Sequence, residues 1–417
     1  MKLIRRTLLL LVLIGLAWIG WNFPKLNNVR KTLTFFDQEN ILGNFTQMHA
    51  FADTHQVTAS AQPFVFPKGD AIELPTSFDF EGRTFSGQEF WDSSYTNGLV
   101  VIQSDHLVFE RYDGGREASG QHISWSVAKS VVSALFGIAM EEGKIKSLDE
   151  PVEVYVPELI GSGYEGVTIK DVLQMSTGVK FNEDYGDLSS DINRWGRTFA
   201  WGASQDEFAT TLVNEREPGT YHHYVSINTH VLGMILVRAT GQTLAEYLQE
   251  KLWHPIGAEY MAYWLADDAG MEMALGGLNA CLRDYAKVGQ LFLHEGKWQG
   301  EQLVPAEWVR ASTTPDAPHV TPGMRDNSAH APYGYGYQWW IPIGNEGEYM
   351  AQGVYNQYIY INPTTGTVIA KNSANHRYND KSVPFSTTAG HLAFFRAIAH
   401  QMAKVDTMAM EPIAAHP

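Results

Sequence analysis

Trp125-Ser126-Val127-Ala128-Lys129-Ser130-Val131-Val132-Ser133-Ala134-Leu135-Phe136-Gly137-Ile138-Ala139-Met140-Glu141-Glu142-Gly143 reads as a helix with almost no polar face. Its apolar residues, from Val127 to Met140, point in nearly every direction around a 3.6-residue turn. A helix of that kind belongs in the middle of a protein. Gly143 supplies the glycine expected just past a helix end. Outward from this helix, Gly98 to Ile102 and Leu107 to Tyr112 read as strands joined by Gln103-Ser104-Asp105-His106, a hairpin. A second apparent hairpin, Tyr358 to Ile361 and Thr367 to Lys371, lies late in the chain around Asn362-Pro363-Thr364-Thr365-Gly366. Residues 168–310 are mostly helical in pattern, including Asn228 to Ala239, Leu244 to Leu252 and Asp284 to His294, and a last helix covers about Thr387 to Ala403. Strands early and late with helices between predict an α+β fold: one antiparallel sheet from both chain ends, flanked by helices, with a mostly helical insert. A pocket between sheet and insert follows from that layering.

The helix also carries the first chemical signal. Residues three apart share a helix face, so Ser126 and Lys129 meet. A serine hydroxyl is a poor nucleophile near neutral pH and needs a base beside it. A lysine buried among apolar neighbours loses basicity and becomes such a base. Ser126 sits in the first turn, where the helix dipole favours developing negative charge. A Ser-x-x-Lys pair arises about once by chance in a chain of this size at average composition. The weight lies in its position, since a lysine on the second turn of an all-apolar helix has no structural purpose.

Two further stretches carry candidates. Pro218-Gly219-Thr220-Tyr221-His222-His223-Tyr224-Val225-Ser226 precedes a helix containing Leu232-Gly233. Tyr224 there is able to pass a proton to a leaving group, and Ser226 to hydrogen-bond Lys129 or the substrate; the bland alternative makes Tyr224 a packing aromatic. Ala351-Gln352-Gly353-Val354-Tyr355-Asn356-Gln357-Tyr358 opens the late hairpin. Gly353 at a sheet edge lets substrate approach the backbone, and the amide that follows it can pair with that of Ser126 as an oxyanion hole. His222 and His223 are adjacent, so they do not face one ion on a regular element, and no His-Glu-x-x-His spacing occurs. Neither a metal nor any other cofactor is expected. Trp195, Trp201 and Trp340 are equally compatible with pocket lining and with core.

The whole chain narrows the remaining classes. Its 417 residues carry 46 acidic and 30 basic side chains, a formal charge of −16 at pH 7, so a nucleic-acid partner is not expected. The single cysteine, Cys281, allows no internal disulfide and reads as a buried structural residue at a helix start. Lys2, Arg5 and Arg6 precede an apolar run from Thr7 to Phe23 with no small-residue cleavage pattern after it. As a helix this run spans ~25 Å, close to the bilayer core. Residues 1–25 therefore read as an uncleaved signal anchor or a signal peptide, with the rest on the extracytoplasmic side of the cell envelope. Residues 26–85, with Pro63, Pro67 and Pro75, read as an extension or linker, and residues 86–405 as the main domain.

Taken in order, Ser126-Val127-Ala128-Lys129, Tyr224 with Ser226, and Gln352-Gly353 resemble the motifs of the serine beta-lactamase and penicillin-binding protein superfamily. The closer similarity is to its class C-like branch. Within it, Ser124-Trp125-Ser126-Val127-Ala128-Lys129-Ser130, Met175-Ser176-Thr177-Gly178, Asn182-Glu183-Asp184-Tyr185, Leu278-Asn279-Ala280 and Tyr335-Gly336-Tyr337-Gln338-Trp339-Trp340 resemble the 6-aminohexanoate-dimer hydrolase group. The resemblance covers about residues 90–400. It implies Ser126 as the acylated nucleophile, Lys129 as its base, Tyr224 as proton relay, the amides of Ser126 and Val354 as oxyanion hole, and Tyr185 beside the substrate amide.

The departures shape the substrate expectation. The third position of the tyrosine motif is Ser226 rather than asparagine, and the late motif is Ala351-Gln352-Gly353 rather than Lys-Thr-Gly or His-x-Gly. The latter removes the cation that would hold a substrate carboxylate. Thr364-Thr365-Gly366 falls in the hairpin turn and does not replace it. The sequence thus points to a hydrolase of a small amide or ester. A D-alanyl-D-alanine carboxypeptidase or beta-lactamase activity is the alternative chemistry, and a non-catalytic membrane-held binding or sensor protein the alternative class.

Overall fold

The structure, a computed structural model, describes residues 2–32, 34–378 and 380–409. In chain order the strands used below are β1 (Asp53–Val57), β2 (Thr96–Gln103), β3 (His106–Tyr112), β4 (His122–Ile123), β5 (Ala262–Ala266), β6 (Leu278–Ala280), β7 (Gly334–Tyr335), β8 (Trp340–Ile341), β9 (Tyr349–Gly353), β10 (Gln357–Asn362) and β11 (Thr367–Ser373). Both expected hairpins form, as β2–β3 and β10–β11. They share one seven-stranded sheet of order β7-β8-β9-β10-β11-β2-β3. The join between the chain ends is the antiparallel pair of β11 with β2, in which Ile369 lies opposite Val101.

The period-two alternation of these strands explains why they read as continuous apolar runs. Val100, Ile102, Ile359, Ile361 and Val368 belong to one buried cluster, and Leu99, Val101, Tyr358, Tyr360 and Ile369 to another. Each strand therefore buries both faces. One face is covered by helix Leu282–Leu293, whose Gly289 lies so close to the sheet that an added Cβ would meet Val368 and Ile359 at 2.6 and 2.7 Å. On the other face helix Thr388–Ala409 brings Phe394 onto Phe90, stacked with centroids 3.8 Å apart, and Phe395 onto Tyr358 and Tyr360.

Helix Val127–Glu141 runs where the sequence places it, and every residue from Val127 to Ala139 is buried. The chain leaves it through Gly143 at φ +67°, a conformation that suits glycine. Ser130 Oγ donates to the Gln338 carbonyl at 2.7 Å. The Gln338 side chain in turn accepts from Thr229 at 2.6 Å and donates to the Leu173 carbonyl at 2.8 Å. This buried amide ties the helix to helix Ser226–Thr240 of the insert. The expected helix over 244–252 is in two pieces, an α segment Leu244–Leu248 followed by a π turn Gln249–Trp253.

The stretch read as a linker is folded onto the body. β1 pairs with β5 in a second sheet of order β1-β5-β6-β4, and Phe35, Ile41, Phe45 and Met48 are buried in the main core. Weak periodicity hid this, because the segment packs through separated aromatic residues rather than along one long face. Upstream, helix Lys2–Thr32 contains one window, Ile4–Trp21, that is long and apolar enough to cross a membrane and is not buried in the protein. Cys281 is buried and caps the start of helix Leu282–Leu293, with its thiol 3.1 Å from Asp284, and burial pushes the thiol pKa well up.

Candidate active site

Ser126 occupies the N-cap position of the buried helix without spending its hydroxyl on a cap hydrogen bond. The residue before it, Trp125, adopts φ +48°. For a side chain other than glycine this costs about 1–2 kcal/mol. The strain lies in a sharp turn that leaves Ser126 half-buried while its helix is enclosed. The hydroxyl, unused by the cap, is thus presented at a helix N-terminus.

Lys129, one turn on, is 1% exposed, and its ammonium donates to the Leu275 carbonyl at 2.6 Å. Loss of water lowers its pKa from 10.5 to about 7, against the pull of the Glu183 carboxylate, which favours the charged form. An amine with that pKa is neutral in a large fraction of molecules at neutral pH.

Tyr224 closes the triangle. Its hydroxyl hydrogen-bonds the Ser126 side chain, and its ring lies 5.4 Å from Lys129 Nζ. The ring stacks on Trp340 with centroids 5.4 Å apart and planes 22° from parallel, which places Trp340 at the site. Burial, with Tyr335 and Glu183 acting the same way, raises the phenol pKa well above 10, so Tyr224 holds its proton. Its backbone N–H donates to His330 Nε2 at 3.0 Å. That bond requires a neutral ring with its proton on Nδ1, in keeping with a His330 pKa that burial and the nearby His223 and Arg325 depress to about 4. The three residues named from sequence as the catalytic set are therefore brought together.

The strand end before Val354 comes close to the nucleophile turn. β9 ends at Gly353, where a Cβ would lie 2.4 Å from the Ser124 carbonyl and 3.2 Å from the Ser126 amide nitrogen. Only glycine lets the strand end come this close to the nucleophile turn, and it leads directly into Val354. The loop is held from behind: Gln357 Nε2 donates to the Tyr355 carbonyl at 3.1 Å, and Asn375 Nδ2 to Asn356 Oδ1 at 2.7 Å. Lys371, fully buried, donates to the Asn356 carbonyl at 3.3 Å, and burial lowers its pKa well below the ordinary lysine range. Gly353→Ala is expected to force this approach open and reduce kcat about 10²- to 10³-fold, the loss typical of one oxyanion donor. Steady-state ester kinetics on protein with an unchanged circular dichroism spectrum check it.

Two residues expected at the substrate are tied to a carboxylate beside Lys129. Ser226 is fully buried and donates to Glu183 Oε1 at 2.5 Å, and its amide donates to Glu183 Oε2 at 3.0 Å. It is thus engaged with a carboxylate rather than with Lys129. Half-buried Tyr185 likewise donates to Glu183 at 3.0 Å. Glu183 is the residue the sequence reading missed. Burial pushes its pKa up while Lys129 and the Ser226 and Tyr185 donors pull it down, so the cluster links the Lys129 charge to both motifs. Its only signal was its place two residues before Tyr185 in a motif already singled out. Trp195 is core, stacked on Phe199, and Trp201 is partly exposed beside Gly202. His222 is buried against Ser328 and Tyr335. Among the described residues no group of three or more His, Cys, Asp or Glu side chains is placed to hold a metal ion.

Comparisons with known proteins agree with this geometry. The chain is 31% identical over 321 residues to the 6-aminohexanoate-dimer hydrolase of Paenarthrobacter ureafaciens, a match covering 75% of this chain and 79% of the relative. A solved Bacillus anthracis structure, described as a candidate 6-aminohexanoate-dimer hydrolase, superimposes with a TM-score of 0.79 at 25% identity, covering 89% of this chain and 96% of the other. A family VIII carboxylesterase shares the fold, with a TM-score of 0.57 at 14% identity over 76% of this chain and 96% of its own. The family model for beta-lactamase matches residues 98–392, which takes in Ser126, Lys129, Tyr224 and Val354. The chain belongs to the beta-lactamase family and is a serine hydrolase of its amidase and esterase kind.

Proposed function

We propose that this protein hydrolyses small amides or esters through an acyl-enzyme on Ser126. The observation that carries the reading is Lys129: a buried amine with a pKa near 7, one helical turn from a serine hydroxyl that makes no cap hydrogen bond. Neutral Lys129 takes the Ser126 proton as Oγ attacks the carbonyl carbon. The amides of Ser126 and Val354 face the oxygen that becomes negative. Tyr224 gives its proton to the departing amine or alcohol and regains one from the Lys129 ammonium. Water then attacks the acyl carbon as neutral Lys129 takes one of its protons; the Lys129 ammonium returns that proton to Ser126 Oγ as the ester bond breaks, and the carboxylic acid leaves with Ser126 and Lys129 restored. Ser226 and Tyr185 act through Glu183, holding the carboxylate that modulates Lys129.

The substrate class follows from what the late motif lacks. No lysine stands at Ala351, and Lys371 is fully buried behind the loop. A penicillin or peptide carboxylate therefore gains no charge-assisted hydrogen bond there. We expect p-nitrophenyl esters and small uncharged linear amides to be turned over. Benzylpenicillin and a D-alanyl-D-alanine peptide should show kcat/KM lower by about ten- to a hundredfold, the value of one such bond. Comparable turnover of the D-alanyl-D-alanine peptide would replace this reading with the carboxypeptidase one. Stable acylation without release would favour the non-catalytic binding or sensor protein. We further propose that residues 7–23 anchor the chain in the inner membrane, with the catalytic domain on the extracytoplasmic side. The Ile4–Trp21 window and the basic residues Lys2, Arg5 and Arg6 at its N-terminal end support that placement. Protease protection in right-side-out and inverted vesicles tests it.

A further inference from the structure

Phe36 stands four positions after Thr32, the last residue of the N-terminal helix. Its ring stacks on Tyr355 with centroids 4.9 Å apart and planes 14° from parallel, and lies 6.3 Å from Trp125. Those neighbours flank the two candidate oxyanion amides, since Trp125 immediately precedes Ser126 and Tyr355 immediately follows Val354. Phe45, fully buried, braces both from beneath, edge-on to Trp125 at 5.4 Å and to Tyr355 at 5.2 Å. Phe35, also buried, meets Phe36 edge-on at 4.8 Å. Phe36 nevertheless remains 44% exposed, and Trp125 and Tyr355 are half-buried. An aromatic held in place from behind, open to solvent in front and adjoining a nucleophile turn, has the character of a binding wall.

We propose that Phe36, Trp125 and Tyr355 form an apolar shelf for the acyl chain of the substrate, and that the preferred substrates are amides or esters of medium-length, uncharged acyl groups. The proposal rests on Ser126 being the acylated residue. It makes the segment after the N-terminal helix a specificity element of the active site. Each methylene laid on the shelf leaves water, worth roughly two- to fourfold in kcat/KM. A charge in the same place would have to be desolvated without a partner.

The test uses the full-length protein and p-nitrophenyl acetate, butyrate, hexanoate and octanoate. We expect kcat/KM to rise along the series, Phe36→Ala to lower the octanoate-to-acetate ratio about tenfold, and Phe36→Tyr to restore most of it. Phe36→Leu serves if the alanine variant does not fold, with an intermediate ratio expected. An unchanged ratio in either truncated variant, or a flat series in the parent protein, overturns the shelf. Because the hydrolase reading is judged on Ser126-dependent acetate turnover, it survives that result. Absence of Ser126-dependent turnover removes both.

Discussion

Ser126→Ala is expected to lower ester and amide turnover by about 10⁴- to 10⁶-fold, the range seen when an activated nucleophile is deleted. It should do so in a protein that folds normally. Serine at an N-cap usually contributes about 0.5–2 kcal/mol through its side-chain bond. Ser126 makes no such bond, so alanine removes no cap interaction. The backbone amide at this position is retained, and with it one half of the oxyanion hole. What disappears is the atom that attacks, together with the hydrogen-bond partner of the Tyr224 hydroxyl. Thermal unfolding near the parent value alongside lost p-nitrophenyl acetate turnover separates chemistry from folding. Turnover kept within tenfold would remove Ser126 from the mechanism.

The second large effect belongs to Lys129. Lys129→Met keeps the length and apolar body of the side chain in its buried slot but has no base. Turnover is expected to fall about 10²- to 10⁴-fold, the usual share of a positioned general base. The pH dependence carries more information than the loss. The active form is the neutral amine, so the parent kcat/KM should rise with pH and reach half its plateau near pH 7. The methionine variant should lose that acid limb. The same depression acts on folding: between pH about 7 and 10.5 the unfolded chain holds a proton on Lys129 that the folded chain does not. The residue's contribution to stability therefore improves as pH rises through that window, and is least favourable below it. Lys129→Met should flatten this part of the stability profile. A parent acid limb that persists in Lys129→Met would instead point to another group, such as the Glu183 carboxylate.

The legible parts of this site were those carried by local pattern. Ser126 and Lys129 could be paired because a helix with apolar residues all round announces its own burial, and three-residue spacing fixes a shared face. β2, β3, β10 and β11 could be read because each is a short apolar run bounded by turn residues. Gly353 followed from its place at a strand end before Val354, though the 2.4 Å approach to Ser124 is a tertiary fact. Glu183 was not legible in its role, because an acidic residue in a loop ordinarily faces solvent. Its value comes from Ser226 and Lys129, distant in sequence. Phe36 and Phe45 were hidden for a similar reason: isolated aromatics in a segment without period look like linker until Trp125 and Tyr355 are seen against them. The tie of Ser226 to Glu183 is likewise tertiary, since adjacency to Tyr224 does not say which way a buried hydroxyl turns.

The central claim is that Ser126 is the acylated residue and Lys129 activates it. Intact-mass analysis of full-length protein treated with a fluorophosphonate probe, followed by peptide mapping, addresses both. The account predicts a single adduct on Ser126, absent in Ser126→Ala and strongly slowed in Lys129→Met. An adduct on another residue, or labelling of folded Lys129→Met at the parent rate, would contradict it.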